Sequence, residues 1–179
     1  MKHIQGFTLI ELIVVISILG IVAAVAIPRF ADFRDAAAEA SLRGAEAALG
    51  SASNMIRAQA IVEGKTASGN DSVIVDGQAI GVNSGYMRGH WNQSIRHAIR
   101  FSSSSGFTPA NSECTDFPLC GVGNRRPNQM PGSPITGYGN GRAALVWIRG
   151  YRLADQCYAY YYNPQDGRPP RIGSLTTGC

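Results

Sequence analysis

Glu11 is the most unusually placed reactive side chain in this sequence, because it is a carboxylate inside an apolar run. The run covers residues 7–27, close to the roughly 20 residues that a helix needs to cross the apolar core of a bilayer. An ionised group is costly there, so it is expected to have a partner or a function. The short basic head of residues 1–5 favours keeping this end on the cytoplasmic side of a membrane.

Four cysteines form the second group that could do chemistry, and all lie beyond the apolar run: Cys114, Cys120, Cys157 and Cys179. An even number in a translocated domain predicts two disulfides, for which three pairings are open. Proximity in the sequence favours Cys114–Cys120 and Cys157–Cys179. Ligand pairs in zinc sites are typically separated by about two to four residues, a spacing that neither pair has.

The remaining residue types do not form a catalytic pattern. His90 and His97 have no cysteine or acidic residue at metal-ligand spacing. The glycine-rich stretch of residues 137–142 has no lysine of the kind that a phosphate-binding loop uses. We therefore predict that the chain is not an enzyme and that it needs no metal or cofactor.

Residues 6–11, Gly-Phe-Thr-Leu-Ile-Glu, and the apolar run after them resemble the leader and N-terminus of a type IV prepilin. In that family a prepilin peptidase cuts after the glycine and methylates the new N-terminal phenylalanine. The resemblance implies cleavage between Gly6 and Phe7, N-methylation of Phe7, and an apolar helix that stays in the mature chain.

Two other interpretations of the same run remain open. Residues 24–26, Ala-Val-Ala, are a small-x-small site of the kind signal peptidase recognises. The run is, however, longer than a usual signal-peptide core, and Glu11 would weaken its insertion. An ordinary single-span anchor explains the length but gives Glu11 no role.

Glu11 has a physical role if the chains assemble. Cleavage after Gly6 leaves a charged amine on Phe7, and each charge is costly alone in an apolar bundle. The pilin resemblance implies that Glu11 meets the amine of an adjacent subunit. Within one chain, the helix N-terminus also favours a carboxylate in the first turn.

The helix is predicted to continue beyond the apolar run. Ala38, Leu42, Ala45, Leu49, Ala52 and Ile56 are spaced by threes and fours and form one apolar face, with Gly64 as a plausible C-cap. Gly20 and Pro28 interrupt the apolar part. The resemblance implies that the segment between them can unwind during filament assembly, whereas the simpler alternative is a kink.

The rest of the chain is predicted to form a mixed head. We expect a strand with a turn at residues 72–78, a short helix at 90–101, loop at 111–134, and strands at 143–149, 156–162 and 171–176. The fold class is therefore α+β, with a long N-terminal helix packed against an antiparallel sheet, as in type IV pilins. We divide the chain into a leader (1–6), a transmembrane and assembly helix (7–28), an amphipathic half-helix (29–62) and a head (63–179).

The C-terminal residues resemble those of mannose-sensitive haemagglutinin pilins, which are type IVa pilins. The similarity comprises Cys157-Tyr158-x-Tyr160, the Pro169-Pro170 pair, and the final Thr-Gly-Cys. Cys114 and Cys120 go beyond the single terminal pair expected for that group.

The resemblance implies a structural pilus subunit that serves attachment, aggregation or biofilm formation. Its expected partners are copies of itself in a helical filament, the prepilin peptidase, the inner-membrane assembly machinery, and a host or abiotic surface. The chain would lie in the inner membrane with a periplasmic head before assembly and in an extracellular filament afterwards.

Two other functions stay open. A pseudopilin of a type II secretion system shares the N-terminus, although its major form lacks the terminal disulfide. A minor pilin for DNA uptake would use the arginines of the C-terminal half to meet phosphates.

Overall fold

A computed structural model describes residues 7–99, 105–137 and 139–179. The predicted leader with Gly6, and the last two residues of the helix predicted at 90–101, lie outside the described residues. The chain divides into two compact units, with the boundary between Ala37 and Ala38. The four-part division inferred from the sequence is a finer one and stays a prediction.

The regular elements begin with a helix and a group of three strands: α1 (Leu9–Val62), β1 (Asn70–Val75), β2 (Gln78–Asn83) and β3 (Tyr86–Met87). A π-helical turn (Trp91–Ile95) and a short helix α2 (Arg96–Ala98) follow. The second group of strands is β4 (Ser105–Phe107), β5 (Leu119–Arg125), β6 (Arg142–Ile148), β7 (Cys157–Asn163) and β8 (Arg171–Thr176). Two short 3-10 turns lie at Pro127–Gln129 and Leu153–Asp155.

Helix α1 ends in a C-cap that the sequence predicted. Gly64 has a positive φ of 68°, a conformation that glycine adopts without strain. The N–H of Lys65 donates to Ala60 O at 2.7 Å, and the N–H of Gly64 donates to Ile61 O at 3.1 Å. These two bonds form a Schellman motif, which satisfies carbonyls that the helix end would otherwise leave unpaired.

The predicted apolar face of α1 forms the centre of the second unit. Leu42, Leu49 and Ile56 are fully buried, and the alanines between them are nearly so. They belong to one cluster with residues of both sheets, including Val73, Val146 and Tyr161. A fully buried leucine or isoleucine contributes about 1.5–3 kcal/mol to stability, so this face is a main source of cohesion.

The first sheet contains more strands than the sequence predicted. Strands β1, β2 and β3 pair antiparallel in that order, where we expected one strand followed by a turn. Asp76-Gly77 and Ser84-Gly85 each have two consecutive positive φ angles. That geometry is typical of two-residue hairpin turns, whose twist matches that of the flanking strands.

The second sheet has the strand order β4-β5-β6-β7-β8. Strands β5 to β8 pair antiparallel, but β4 and β5 are parallel. The prediction of loop throughout residues 111–134 is wrong, because β5 lies within them. A side chain at Gly121 would lie 2.1 Å from the Trp91 ring, and one at Gly123 would lie 2.1 Å from the Trp91 backbone nitrogen. These glycines make room for Trp91, although their composition is typical of a loop.

Both faces of the second sheet are buried. Ala144, Val146 and Tyr161 face the cluster that contains α1. Leu145 and Trp147, on the opposite face, belong to a separate cluster with Cys114 and Cys120. The predicted strands at 143–149, 156–162 and 171–176 are confirmed within one or two residues as β6, β7 and β8. The α+β fold with a long N-terminal helix packed against antiparallel sheet is also confirmed.

The helix predicted at residues 90–101 is only partly correct. Its described part forms a π-helical turn that leads into α2, and the backbone at Ile99 is extended. Trp91, Ser94 and Ile95 are buried, and Ser94 Oγ donates to Gly81 O at 2.6 Å. The π-helix is rare, and a single turn adjoining α-helix, as here, is its usual form.

Asn163 joins the two sheets. Its side chain is 1% exposed, and its Nδ2 donates to Met87 O at 2.8 Å and to Asn83 O at 3.3 Å. Its Oδ1 accepts from the N–H of Gln165 at 2.7 Å. This one amide therefore bonds to backbone groups of the first sheet and of the turn after β7, and Met87 O also accepts from Tyr161 Oη at 3.0 Å.

We predict that Asn163→Ala lowers the free energy of unfolding by about 1–3 kcal/mol, because buried backbone groups each lose a hydrogen bond. The measurement is urea unfolding of the full chain in mild detergent, followed by the fluorescence of the buried Trp91 and Trp147. Asn128→Ala, at an exposed position, is the matched control. Equal stability of the two variants would contradict the role of Asn163.

Candidate functional site

The N-terminal part of α1 presents apolar side chains around its whole circumference. Phe7 is 83% exposed, Ile10 is 70% exposed, and the other large apolar residues up to Ile27 are at least 46% exposed. By length and composition this part is able to cross a membrane. So much exposed apolar surface is unfavourable in water, and it requires lipid or other apolar helices around it.

Glu11 is paired with Thr8 at the start of α1. Its Oε2 accepts from the Thr8 N–H and from the Thr8 hydroxyl, both at 2.8 Å. The Glu11 N–H in turn donates to Thr8 Oγ1 at 3.3 Å. This reciprocal arrangement is a capping box, which satisfies the free N–H groups of the first helical turn.

Thr8 is therefore a site residue that the sequence reasoning missed. The Thr-x-x-Glu spacing before an apolar run is a known sequence signature of a capping box, so the information was available. The pairing gives the Glu11 carboxylate a partner inside its own chain. Its predicted role toward a neighbouring subunit stays a prediction.

Gly20 and Pro28 both lie inside α1, and the helix continues through both positions. A side chain at Gly20 would meet no atom within 4 Å, so packing inside this chain does not demand glycine there. Proline removes one backbone hydrogen bond from the helix around it. The predicted unwinding between these two positions is a property of assembly and stays a prediction.

The four cysteines form two disulfides in the pairing that sequence proximity favours, Cys114–Cys120 and Cys157–Cys179. The first closes a loop against β5. The second connects the start of β7 with the end of the chain, where Cys157 pairs in register with Thr176 of β8. Tyr151 Oη donates to Cys179 O at 3.1 Å, so the last residue is held by a covalent bond and by a hydrogen bond.

The other residues that could do chemistry are not brought together into one site in the described parts of the chain. Burial and the charges of Arg88 and Arg142 lower the pKa of His90, which favours a neutral imidazole. Within the described ranges, no group of three or more histidine, cysteine, aspartate or glutamate side chains is arranged to hold a metal ion. The candidate site is therefore the N-terminal helix with its Thr8–Glu11 pair.

A family comparison matches this part of the chain. Residues 1–27 match the family model described as the prokaryotic N-terminal methylation motif. The chain is also 48% identical, over 56 residues, to the type IV narrow pilus major component PilA5 of Thermus thermophilus. Over these residues the chain is similar to a type IV pilus protein. Two fimbrial proteins of Pseudomonas aeruginosa, each 58% identical over 33 residues, are further relatives.

The similarity covers a limited part of each protein. The alignment spans 31% of this chain and 48% of the Thermus protein, and 18% and 21% in the comparisons with the Pseudomonas proteins. The chain therefore spans about half the length of the first relative and about a fifth of the other two. No solved structure matched the chain.

We predict that the two disulfides of this chain contribute unequally to stability. Replacing Cys157 and Cys179 by alanine should lower the free energy of unfolding by about 3 kcal/mol in the chain-entropy model, because the loop that the bond closes is the longer one. Replacing Cys114 and Cys120 should cost about 1 kcal/mol less on the same grounds. Urea unfolding of both double variants in detergent measures the difference, and the reverse order would refute this ranking.

Proposed function

We propose that this chain is a structural subunit of a type IV pilus, assembled through the apolar N-terminal part of α1. The observation that carries the proposal is the methylation motif of residues 1–27, whose part from Leu9 onward forms a helix that is apolar on all sides. The relatives named as a pilus component and as fimbrial proteins support the same role. The role is structural, without catalytic activity.

Apolar burial supplies the driving force in this proposal. Before assembly the subunit lies in the inner membrane with its head in the periplasm, and lipid covers the side chains of residues 7–27. Helices of neighbouring copies then replace the lipid in the filament. Helix association in an apolar environment gains mainly from packing and from polar pairs rather than from release of water, so Glu11 has more influence than its size suggests.

The Thr8–Glu11 pair allows the Glu11 carboxylate to be hydrogen-bonded both in the membrane before assembly and in the filament afterwards. Before assembly, the two Thr8 donors at 2.8 Å satisfy the carboxylate within the chain. A carboxylate accepts more than two hydrogen bonds, so the charged amine of Phe7 in an adjacent subunit can be added without breaking the Thr8 contacts. We propose that this second contact sets the register between subunits.

The partners and locations follow from this role. They are other copies of the chain, the prepilin peptidase that cleaves between Gly6 and Phe7 and methylates Phe7, and the inner-membrane assembly machinery. The extracellular filament then meets a host or abiotic surface, and it serves attachment, aggregation or biofilm formation. The resemblance of the C-terminal residues to mannose-sensitive haemagglutinin pilins supports attachment.

We predict that the mature protein begins at an N-methylated Phe7. The measurement is mass spectrometry of the N-terminal peptide from protein sheared off cells, with the unprocessed chain from a peptidase-deficient strain as the control. A mature chain that begins at Ile27 would show cleavage by signal peptidase, and the assembly role of Glu11 would then be wrong.

We predict that Glu11→Gln reduces the yield of sheared filaments at an unchanged membrane level of the subunit. Loss of one charge pair worth about 1.4 kcal/mol weakens each association step about tenfold. Thr8→Val, which removes the hydroxyl partner of Glu11, should reduce the yield to a smaller extent, and Thr8→Ser should preserve it.

Glu39→Gln is the matched control for this experiment, because Glu39 is another carboxylate of α1 and pairs with Arg43 on the exposed surface at 2.5 Å. Exposed pairs of that kind contribute little. Filament yields that fall equally in Glu11→Gln and Glu39→Gln would indicate a general effect of charge, and a normal yield in Glu11→Gln would refute the proposed register contact.

A further inference from the structure

An open groove lies on the face of the first sheet opposite the buried residues Val73 and Val82. Its volume is about 540 Å³, and its lining includes Asn70 and Ser72 of β1, Gly81 of β2, Arg88 and Gln93. In the antiparallel register Ser72 is opposite Gly81 and Asn70 is opposite Asn83. The alternate residues Val73 and Val82 are fully buried on the inner face, so small and amide side chains form the floor of the groove.

Arg88 is the most unusual residue of the groove. Its N–H donates to Gly81 O at 3.0 Å, and a side chain on Gly81 would lie 3.2 Å from Arg88 Cδ. The aliphatic stem of the arginine therefore lies over the glycine and is fixed there. Arg88 Nε is shielded from solvent, and it has no hydrogen-bond partner among the residues that the structure describes.

The charge of Arg88 is also uncompensated. Asp71, the acidic residue in the groove lining, accepts from the N–H of Ser72 at 2.7 Å and lies 3.8 Å from Lys65 Nζ. Lys65 is further paired with Glu63 at 3.1 Å. Within the described parts of the chain, no carboxylate forms an ion pair with Arg88. An oxyanion placed against the part of the guanidinium that lines the groove would compensate this charge.

The size of the groove and its other side chains limit which ligands can bind there. Its volume equals that of roughly eighteen water molecules at ~30 Å³ each, which is more than a single ion needs. Asn70, Ser72 and Gln93 supply amide and hydroxyl groups that donate and accept hydrogen bonds. These groups suit the hydroxyls of sugar rings.

We propose that this groove binds an acidic saccharide, with one carboxylate of a uronic acid held by the guanidinium of Arg88 and the neighbouring hydroxyls held by Asn70, Ser72 and Gln93. Arginine presents donors in a planar fork that matches a carboxylate, and its two terminal nitrogens form such a fork. The site belongs to the second unit alone, so binding does not depend on the proposed assembly into filaments.

The test is isothermal titration calorimetry of the full chain in detergent with trigalacturonate, and with neutral maltotriose as the uncharged saccharide. We expect binding of trigalacturonate and none of maltotriose. Arg88→Lys keeps the charge but loses the fork, so it should weaken binding about tenfold or more. Arg171→Lys, at an exposed arginine of β8, is the matched control and should bind as the unaltered chain does.

A second readout separates the saccharide from other sources of an oxyanion. The ¹⁵N and ¹H signals of Arg88 Nε–H should shift on addition of trigalacturonate, and equal concentrations of inorganic phosphate or of a tetraglutamate peptide should shift them less. Equal shifts with all three ligands would overturn the assignment to a saccharide. No binding of trigalacturonate, or equal weakening in Arg88→Lys and Arg171→Lys, would overturn the site itself.

Discussion

Burial of one face of α1 is the interaction on which the second unit depends. Leu42, Leu49 and Ile56 provide the bulk, and the alanines between them allow strands to approach the helix closely. Both sheets bury residues in the same cluster, so neither has an independent core on this side. The helix is therefore the common surface that fixes the two sheets, and Asn163 adds a polar connection between them.

In the first unit the same helix is exposed on all sides, whereas in the second unit one of its faces is buried. Its apolar side chains from Phe7 to Ile27 are exposed all round, and nothing within the described chain covers them. The polar groups at its start are satisfied locally, because Thr8 and Glu11 cap one another. A helix end that carries its own caps can lie in an apolar environment without water. This combination suits a segment that passes from lipid into contact with other helices.

Local patterns predicted the helix and the C-terminal strands, because their periodicity and the Gly64 cap depend only on residues that are close together in the sequence. Strand β5 was missed because its glycines resemble loop composition, and only the position of Trp91 in the folded chain explains them. The cysteine pairing followed from proximity, and the Thr8–Glu11 cap was readable but overlooked. The groove around Arg88 joins residues from two strands and a π-helical turn, a convergence that no local pattern contains.

The cluster behind the second sheet has a different character from the one on α1. It is formed by Leu145 and Trp147 of β6 together with covering segments that have little regular structure, and the Cys114–Cys120 bond lies within it. These segments pack on the face of the sheet opposite α1, and Tyr151 also contacts the cluster on the helix face. Substitutions in the rest of this layer can therefore change the outward surface of the head without altering the residues that contact α1.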